Sequence, residues 1–167
     1  VEAGVLVAGT NGIVINAAAG DRVILEGLDI EGLGTGLNGV QILAGGMVEI
    51  IRCSIRRFTG NGVNLVSSTA SARAIIKDSF IAFNNGGVNV QGNGVGNIGS
   101  ILSTQIDANT SFAVQANGVG NIVAAANSVL NASPTAISLL NGATAVSFGP
   151  SNVVSGAGNF TATNPFK

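Results

Sequence analysis

A short apolar pattern returns six times along this chain, and its spacing limits the fold more than any other property. A small residue is followed by an aliphatic, one spacer and a second aliphatic. The copies are Gly12-Ile13-Val14-Ile15, Gly39-Val40-Gln41-Ile42, Gly62-Val63-Asn64-Leu65, Gly87-Val88-Asn89-Val90, Ala113-Val114-Gln115-Ala116 and Ala136-Ile137-Ser138-Leu139. The steps between the small residues are 27, 23, 25, 26 and 23. Apolar residues at alternate positions have a period of two, which puts them on one side of a strand and excludes a helical stripe.

A second column runs in register with the first: Asp29-Ile30, Ser54-Ile55, Ser79-Phe80, Gln105-Ile106, Ser128-Val129 and Asn152-Val153. Apolar runs such as Val23-Ile24-Leu25 and Glu49-Ile50-Ile51 precede it and predict a further strand in each repeat. Gly, Asn, Ser and Thr fill the stretches between, as turns require. One turn is repeated verbatim, Asn93-Gly94-Val95-Gly96-Asn97-Ile98 returning as Asn117-Gly118-Val119-Gly120-Asn121-Ile122, 24 residues later.

Two or three short strands in about 24 residues leave no room for a helix, so each repeat reads as one coil of a solenoid that buries its apolar face only by stacking on its neighbours. Six to seven coils at about 4.8 Å per step predict a rod roughly 30 Å long. The inward ladders are expected to be Ile13/Val40/Val63/Val88/Val114/Ile137 and Ile30/Ile55/Phe80/Ile106/Val129/Val153. The whole chain, 1–167, reads as one β-helix domain, with 1–11 as an incomplete first coil and 159–167 as a tail or cap, cut from a longer protein. An uncapped first coil predicts self-association through the N-terminal edge of the rod.

The stretch Ile76-Lys77-Asp78-Ser79-Phe80-Ile81-Ala82-Phe83-Asn84-Asn85-Gly86-Gly87-Val88 resembles the generic repeat of the right-handed parallel β-helix family, the pectate-lyase-like superfold. The resemblance covers residues 12 to about 155 and implies an all-β, single-stranded, right-handed solenoid. It says little of function, because the superfold hosts lyases, hydrolases, binding modules and phage-tail adhesins. Its enzymes use a calcium cage of several Asp and Glu with an Arg base, or clusters of two or three Asp, and neither pattern occurs here. A left-handed hexapeptide helix, with coils of about 18 residues, and a leucine-rich repeat fit less well.

Composition narrows the chemistry further. There is no His, Trp or Tyr and only one Cys. Imidazole-dependent zinc sites and triads, and any internal disulfide framework, are therefore excluded. A net charge of −1 offers no footprint for nucleic acid, and no apolar stretch reaches the ~18 residues of a membrane span. Scarce cysteine with abundant Asn, Ser, Thr and Gly points to a secreted or cell-surface bacterial protein. No cofactor and no metal are predicted.

Between Ser79 and Phe166, Asp107 is the one ionisable side chain, so any acid–base chemistry must lie in the first three coils. There Arg52 and Lys77, 25 apart, are expected to be adjacent, as are Glu31 and Arg56, with Arg57 next to them. Arg52, Arg56, Arg57 and Lys77 would then form a basic stripe able to meet an acidic sugar, with Asp29 or Asp78 nearby. The competing reading is that Glu31 and Arg56 are an exposed structural pair worth a few tenths of a kcal/mol. Asp29 and Asp78, two coils or about 10 Å apart, miss a shared column by one position and fit poorly the 5 to 9.5 Å that paired glycosidase carboxylates need. Phe58 and Phe83, 25 apart, should stack in the core, and Asn93/Asn117 or Asn97/Asn121 should form amide ladders. Cys53 reads as a small buried residue without a base to activate it. Three functions follow: a non-catalytic scaffold, adhesion or glycan-binding module with polysaccharide as partner; a lyase- or hydrolase-like protein with a degenerate site; or a self-associating rod.

Overall fold

The computed structural model describes residues 3–165, and at 132 and 133 the backbone alone. After β1 (Ala3–Leu6), the first three turns of chain comprise β2 (Ile13–Asn16), β3 (Arg22–Glu26) and β4 (Leu28–Glu31); β5 (Val40–Ala44), β6 (Met47–Ile51) and β7 (Ser54–Arg56); β8 (Asn61–Leu65), β9 (Arg73–Lys77) and β10 (Phe80–Ala82). Then come β11 (Gly86–Gln91), β12 (Ile98–Leu102) and β13 (Gln105–Asn109); β14 (Phe112–Asn117) and β15 (Ile122–Ala126); the long β16 (Val129–Leu140), which runs through a corner; β17 (Thr144–Phe148), β18 (Val153–Ala157) and β19 (Ala162–Asn164). Every third strand pairs in parallel as far as β16, and every second one beyond it because β16 spans two faces, giving an all-β solenoid of about six turns. No helix occurs among the described residues.

The rod has three faces. Face one stacks β2, β5, β8, β11, β14 and the end of β16; face two stacks β3, β6, β9, β12, β15, β17 and β19; face three stacks β1, β4, β7, β10, β13, the start of β16 and β18. The expected first ladder is paired residue for residue, from Ile13 opposite Val40 to Val114 opposite Ile137. Val40, Val63, Val88 and Val114 are fully buried. The small residue before it is required: a Cβ on Gly39 would lie 2.5 Å from the Gly62 carbonyl oxygen in the next coil.

The second ladder differs from the expected one after its second member. Ile30 and Ile55 are followed by Ile81, Ile106, Leu130 and Val154, so Phe80, Val129 and Val153 belong to the outward row beside it. The cause lies in the corner before face three. Ser79 does not align with Ser54; it sits over Cys53, whose backbone N–H donates to Ser79 Oγ at 3.1 Å. The same bond recurs as Ser79 N–H to Thr104 Oγ1, Thr104 N–H to Ser128 Oγ and Ser128 N–H to Asn152 Oδ1, at 3.0–3.3 Å. This buried ladder of hydroxyls satisfies the corner backbone, which has no strand partner there.

The corner between faces three and one carries a comparable ladder of amides. Asn84 Oδ1 accepts from Phe58 N–H and Asn109 Oδ1 from Asn84 N–H, both at 3.0 Å. Asn97 and Asn121 form the third ladder as expected, Asn121 Oδ1 accepting from Asn97 N–H at 3.0 Å. Asn93 and Asn117 do not pair: Asn117 ends β14 opposite Gln91 and accepts from Asn141 at 2.8 Å. At the chain's end β19 adds a strand to face two beside β17, and Phe160 packs against the core.

Candidate functional site

The carboxylates of β4 and the arginine above them form the densest polar cluster. Strand alternation turns Asp29 and Glu31 outward on either side of buried Ile30, and parallel pairing sets Arg56 directly over Glu31. Arg56 Nε donates to Glu31 Oε2 at 2.8 Å, Nη2 to Asp29 Oδ2 at 2.8 Å and Nη1 to Ser54 Oγ at 2.6 Å. Nη1 also lies 2.7 Å from Asp29 Oδ1, a Coulombic contact whose angles leave that oxygen without an aligned donor. Glu31 Oε1 accepts from Leu33 N–H at 3.0 Å. Hydrogen bonding to Asp29, ahead of that to Glu31, holds the Arg56 guanidinium above its ordinary range. Glu31 is only 7% exposed, so the pair is part of a partly buried clamp in which one guanidinium bridges two carboxylates, not the exposed pair that the sequence led us to expect.

Arg52 and Lys77 are offset by one residue. Lys77 stands opposite Ile51, whereas Arg52 shares its left-handed corner column with Gly27, Asp78, Ser103 and Asn127. Arg52 Nη2 lies 2.5 Å from Glu26 Oε1, and Lys77 Nζ 3.7 Å from Asp78 Oδ2. The basic stripe is therefore largely neutralised in place. Asp29 and Asp78 occupy different columns, since the residue two coils above Asp29 is Phe80. Buried Cys53 lies beneath this corner, its Sγ 3.4 Å from the Ile51 carbonyl oxygen, and burial pushes its thiol pKa up. A protonated thiol is a poor nucleophile.

Arg57 is the exception among the six residues singled out from sequence. It has no ion-pair partner among the described residues, and it faces a groove of about 530 Å³ lined by Leu33, Phe58, Thr59, Phe83, Asn85 and Thr110 among others. Arg57 and Phe83 both adopt left-handed φ, 61° and 59°, which throws their side chains out from the corner on successive coils. Phe83 is 59% exposed while Phe58 is 3% exposed, so the two rings do not stack. Phe58 instead occupies the column of Asn84 and floors the groove. Across from Phe83, Asn85 Oδ1 accepts from Thr110 and Ser111 at 3.1 and 2.6 Å. An exposed ring, an unpaired guanidinium and polar amide and hydroxyl groups line one channel.

Sequence reasoning found Arg57 but missed Phe83, Leu33, Asn85 and Thr110. The available signal was the run of non-glycine corner residues, which becomes visible only once the register is correct. Among the described residues, no group of three or more His, Cys, Asp or Glu is arranged to hold a metal. Comparison of the chain with family models, curated proteins and solved structures found no match.

Proposed function

We propose that this chain is a non-catalytic β-solenoid module, exported or displayed at a cell surface, that binds polysaccharide along the Arg57–Phe83 groove. The observation that carries this reading is the contrast between closed and open charge. Every described carboxylate is engaged: Asp21 by a backbone N–H, Glu26, Asp29, Glu31, Glu49 and Asp78 by cations, and Asp107 by Asn131 and Gln105. Among the described residues no free acid–base pair of the kind glycoside cleavage uses is left. Arg57, by contrast, is open and adjoins an exposed aromatic ring.

The groove follows the rod axis over the four successive coils of Leu33, Arg57, Phe83 and Thr110, a length of roughly 15 Å, so an extended chain of about three sugars fits along it. Phe83 supplies an apolar face for sugar C–H groups, Arg57 a donor fork for a hydroxyl or carboxylate, and Asn85 and Thr110 hydrogen bonds. The resemblance of the repeat to the pectate-lyase-like superfold agrees with a carbohydrate ligand, although the reading rests on the groove, not on the fold.

Calorimetric titration with neutral and acidic oligosaccharides tests the proposal. Trimers and longer oligomers should bind without release of new reducing ends or unsaturated products, and Phe83→Ala and Arg57→Ala should each weaken binding by about tenfold, a loss of ~1.4 kcal/mol. Product release, or binding that both variants leave intact, would overturn it.

A further inference from the structure

The second half of face two presents an uncharged outward side. Along β12, β15 and β17 the inward positions are buried, and the outward ones are Ile98, Ser100 and Leu102; Ile122, Ala124 and Ala126; Thr144, Val146 and Phe148. None is charged. With Ile75 on one side and Ala162 on the other, this surface spans five strands, about 24 Å by 17 Å. That is roughly 400 Å², within the about 300–600 Å² of a typical monomer's largest apolar patch, with Arg73 and Lys77 at its β9 edge. Phe148 is 39% exposed and Leu102 37%.

The surface is not flat. Ser100 and Ala124 are register partners, and over these two small residues lies a depression of about 200 Å³ lined by Arg73, Ile75, Ser100, Leu102, Ala124, Ala125 and Phe148. A phenyl ring needs no more room than that, since cavities of about 150 Å³ admit benzene. Phe148 stands at the rim of this hollow, which puts a knob beside a hole on one patch. A patch of that kind is self-complementary under a two-fold axis.

We infer that face two is the interface of a lateral, antiparallel dimer whose two-fold axis runs along β15. Rotation about that line sets β12 of one copy over β17 of the other and keeps strand starts over strand starts. Phe148 then meets Leu102 of the second copy and enters its hollow, Ser100 meets Val146, and Ala124 meets Ala124, where small side chains permit close approach. At the rim β9 comes over β19, and Lys77 meets Asn164, a polar contact without charge repulsion. The total area, roughly 800–1,000 Å², lies at the low end for specific interfaces and predicts a weak dimer. This inference is independent of the glycan reading, because Arg57 and Phe83 lie at the corner between faces three and one.

Sedimentation velocity from low micromolar to near-millimolar concentration provides the test. The chain should pass from monomer to dimer without larger species, and Ser100→Arg and Phe148→Ser should each raise the dissociation constant at least tenfold. Thermal melts of the two variants check that both remain folded, and Arg57→Ala should leave the dimer unchanged. Spin labels at Ile24→Cys, with Cys53 buried and unlabelled, should report a distance of about 40 Å, eight strand spacings. A monomer at every concentration, a dimer indifferent to both face-two variants, or a label distance under 20 Å would overturn the inference.

Discussion

The first three turns and the last three tie neighbouring coils together with different chemistry over the same sequence interval. In the first half the outer links on faces two and three and the corner between them are ionic, Arg22 to Glu49, Arg52 to Glu26 and Arg56 to Asp29 and Glu31, at separations of 25 to 27 residues, while face one already uses amides, Asn64 to Gln41. In the second half the equivalent links are neutral or half-neutral: Asn131 to Asp107, Gln115 to Ser138, Asn141 to Asn117 and Ser151 to Asn127, at separations of 23 or 24. The column that holds Glu31 and Arg56 in the first half continues through Ala82 to Asp107, which Asn131 bonds from the next coil. The clustering of charge in the first three turns is thus mainly a choice of staple. Of the two cations there without an ion-pair partner among the described residues, Arg73 borders the hollow of face two and Arg57 opens on the groove beside Phe83.

Beneath both sets of staples lie the buried ladders, and their loss should cost most. Asn84→Ala removes the acceptor for Phe58 N–H and the donor to the Ile55 carbonyl and Asn109. Urea unfolding should register a loss of about 3 kcal/mol, since buried backbone groups are left unpaired. Arg56→Ala leaves two partly buried carboxylates facing each other and should cost about 1–2 kcal/mol. If it cost less than Asn131→Ala in the second half, the ionic staples would be ornamental.

Acid should separate the halves more gently. Hydrogen bonding to Arg22, the largest cause, holds the Glu49 carboxyl below its ordinary range. A lowered folded-state pKa means that its stabilising effect is complete at neutral pH and is lost as pH falls through that value. Amide exchange, corrected for its intrinsic rate, should therefore rise in β3 and β6 below about pH 4 before it rises in β15 and β17. Cys53→Ser should change least, within ~0.5 kcal/mol. The thiol already occupies the first rung of the hydroxyl ladder, and a serine there would repeat the contacts that Ser79 makes to the carbonyls of Ile50 and Lys77.

The sequence exposed the solenoid because alternate apolar residues need only a strand face, and Val40, Val63, Val88 and Val114 keep that alternation in every coil. Corners obey no such rule. A single additional residue between Ile55 and Ile81 moved Phe80 outward, put Asp78 instead of Lys77 in the column above Arg52, and separated Phe83 from Phe58. The column containing Cys53, Ser79, Thr104, Ser128 and Asn152 was concealed because its members share hydrogen-bonding capacity, not shape. Phe83 was concealed by the assumption that aromatic residues one coil apart fill the core. Its left-handed backbone turns the ring to solvent instead.

That the groove beside Arg57 and Phe83 is the ligand site, and the Asp29–Glu31–Arg56 cluster a staple, is tested most directly by titrating the isotope-labelled protein with oligosaccharides while following its amide signals and analysing the solution for cleavage products. Shifts confined to the surroundings of Leu33, Arg57, Phe83, Asn85 and Thr110, with the sugar recovered intact, are the predicted result. Shifts centred on Asp29, Glu31 and Arg56 together with cleaved product would contradict it.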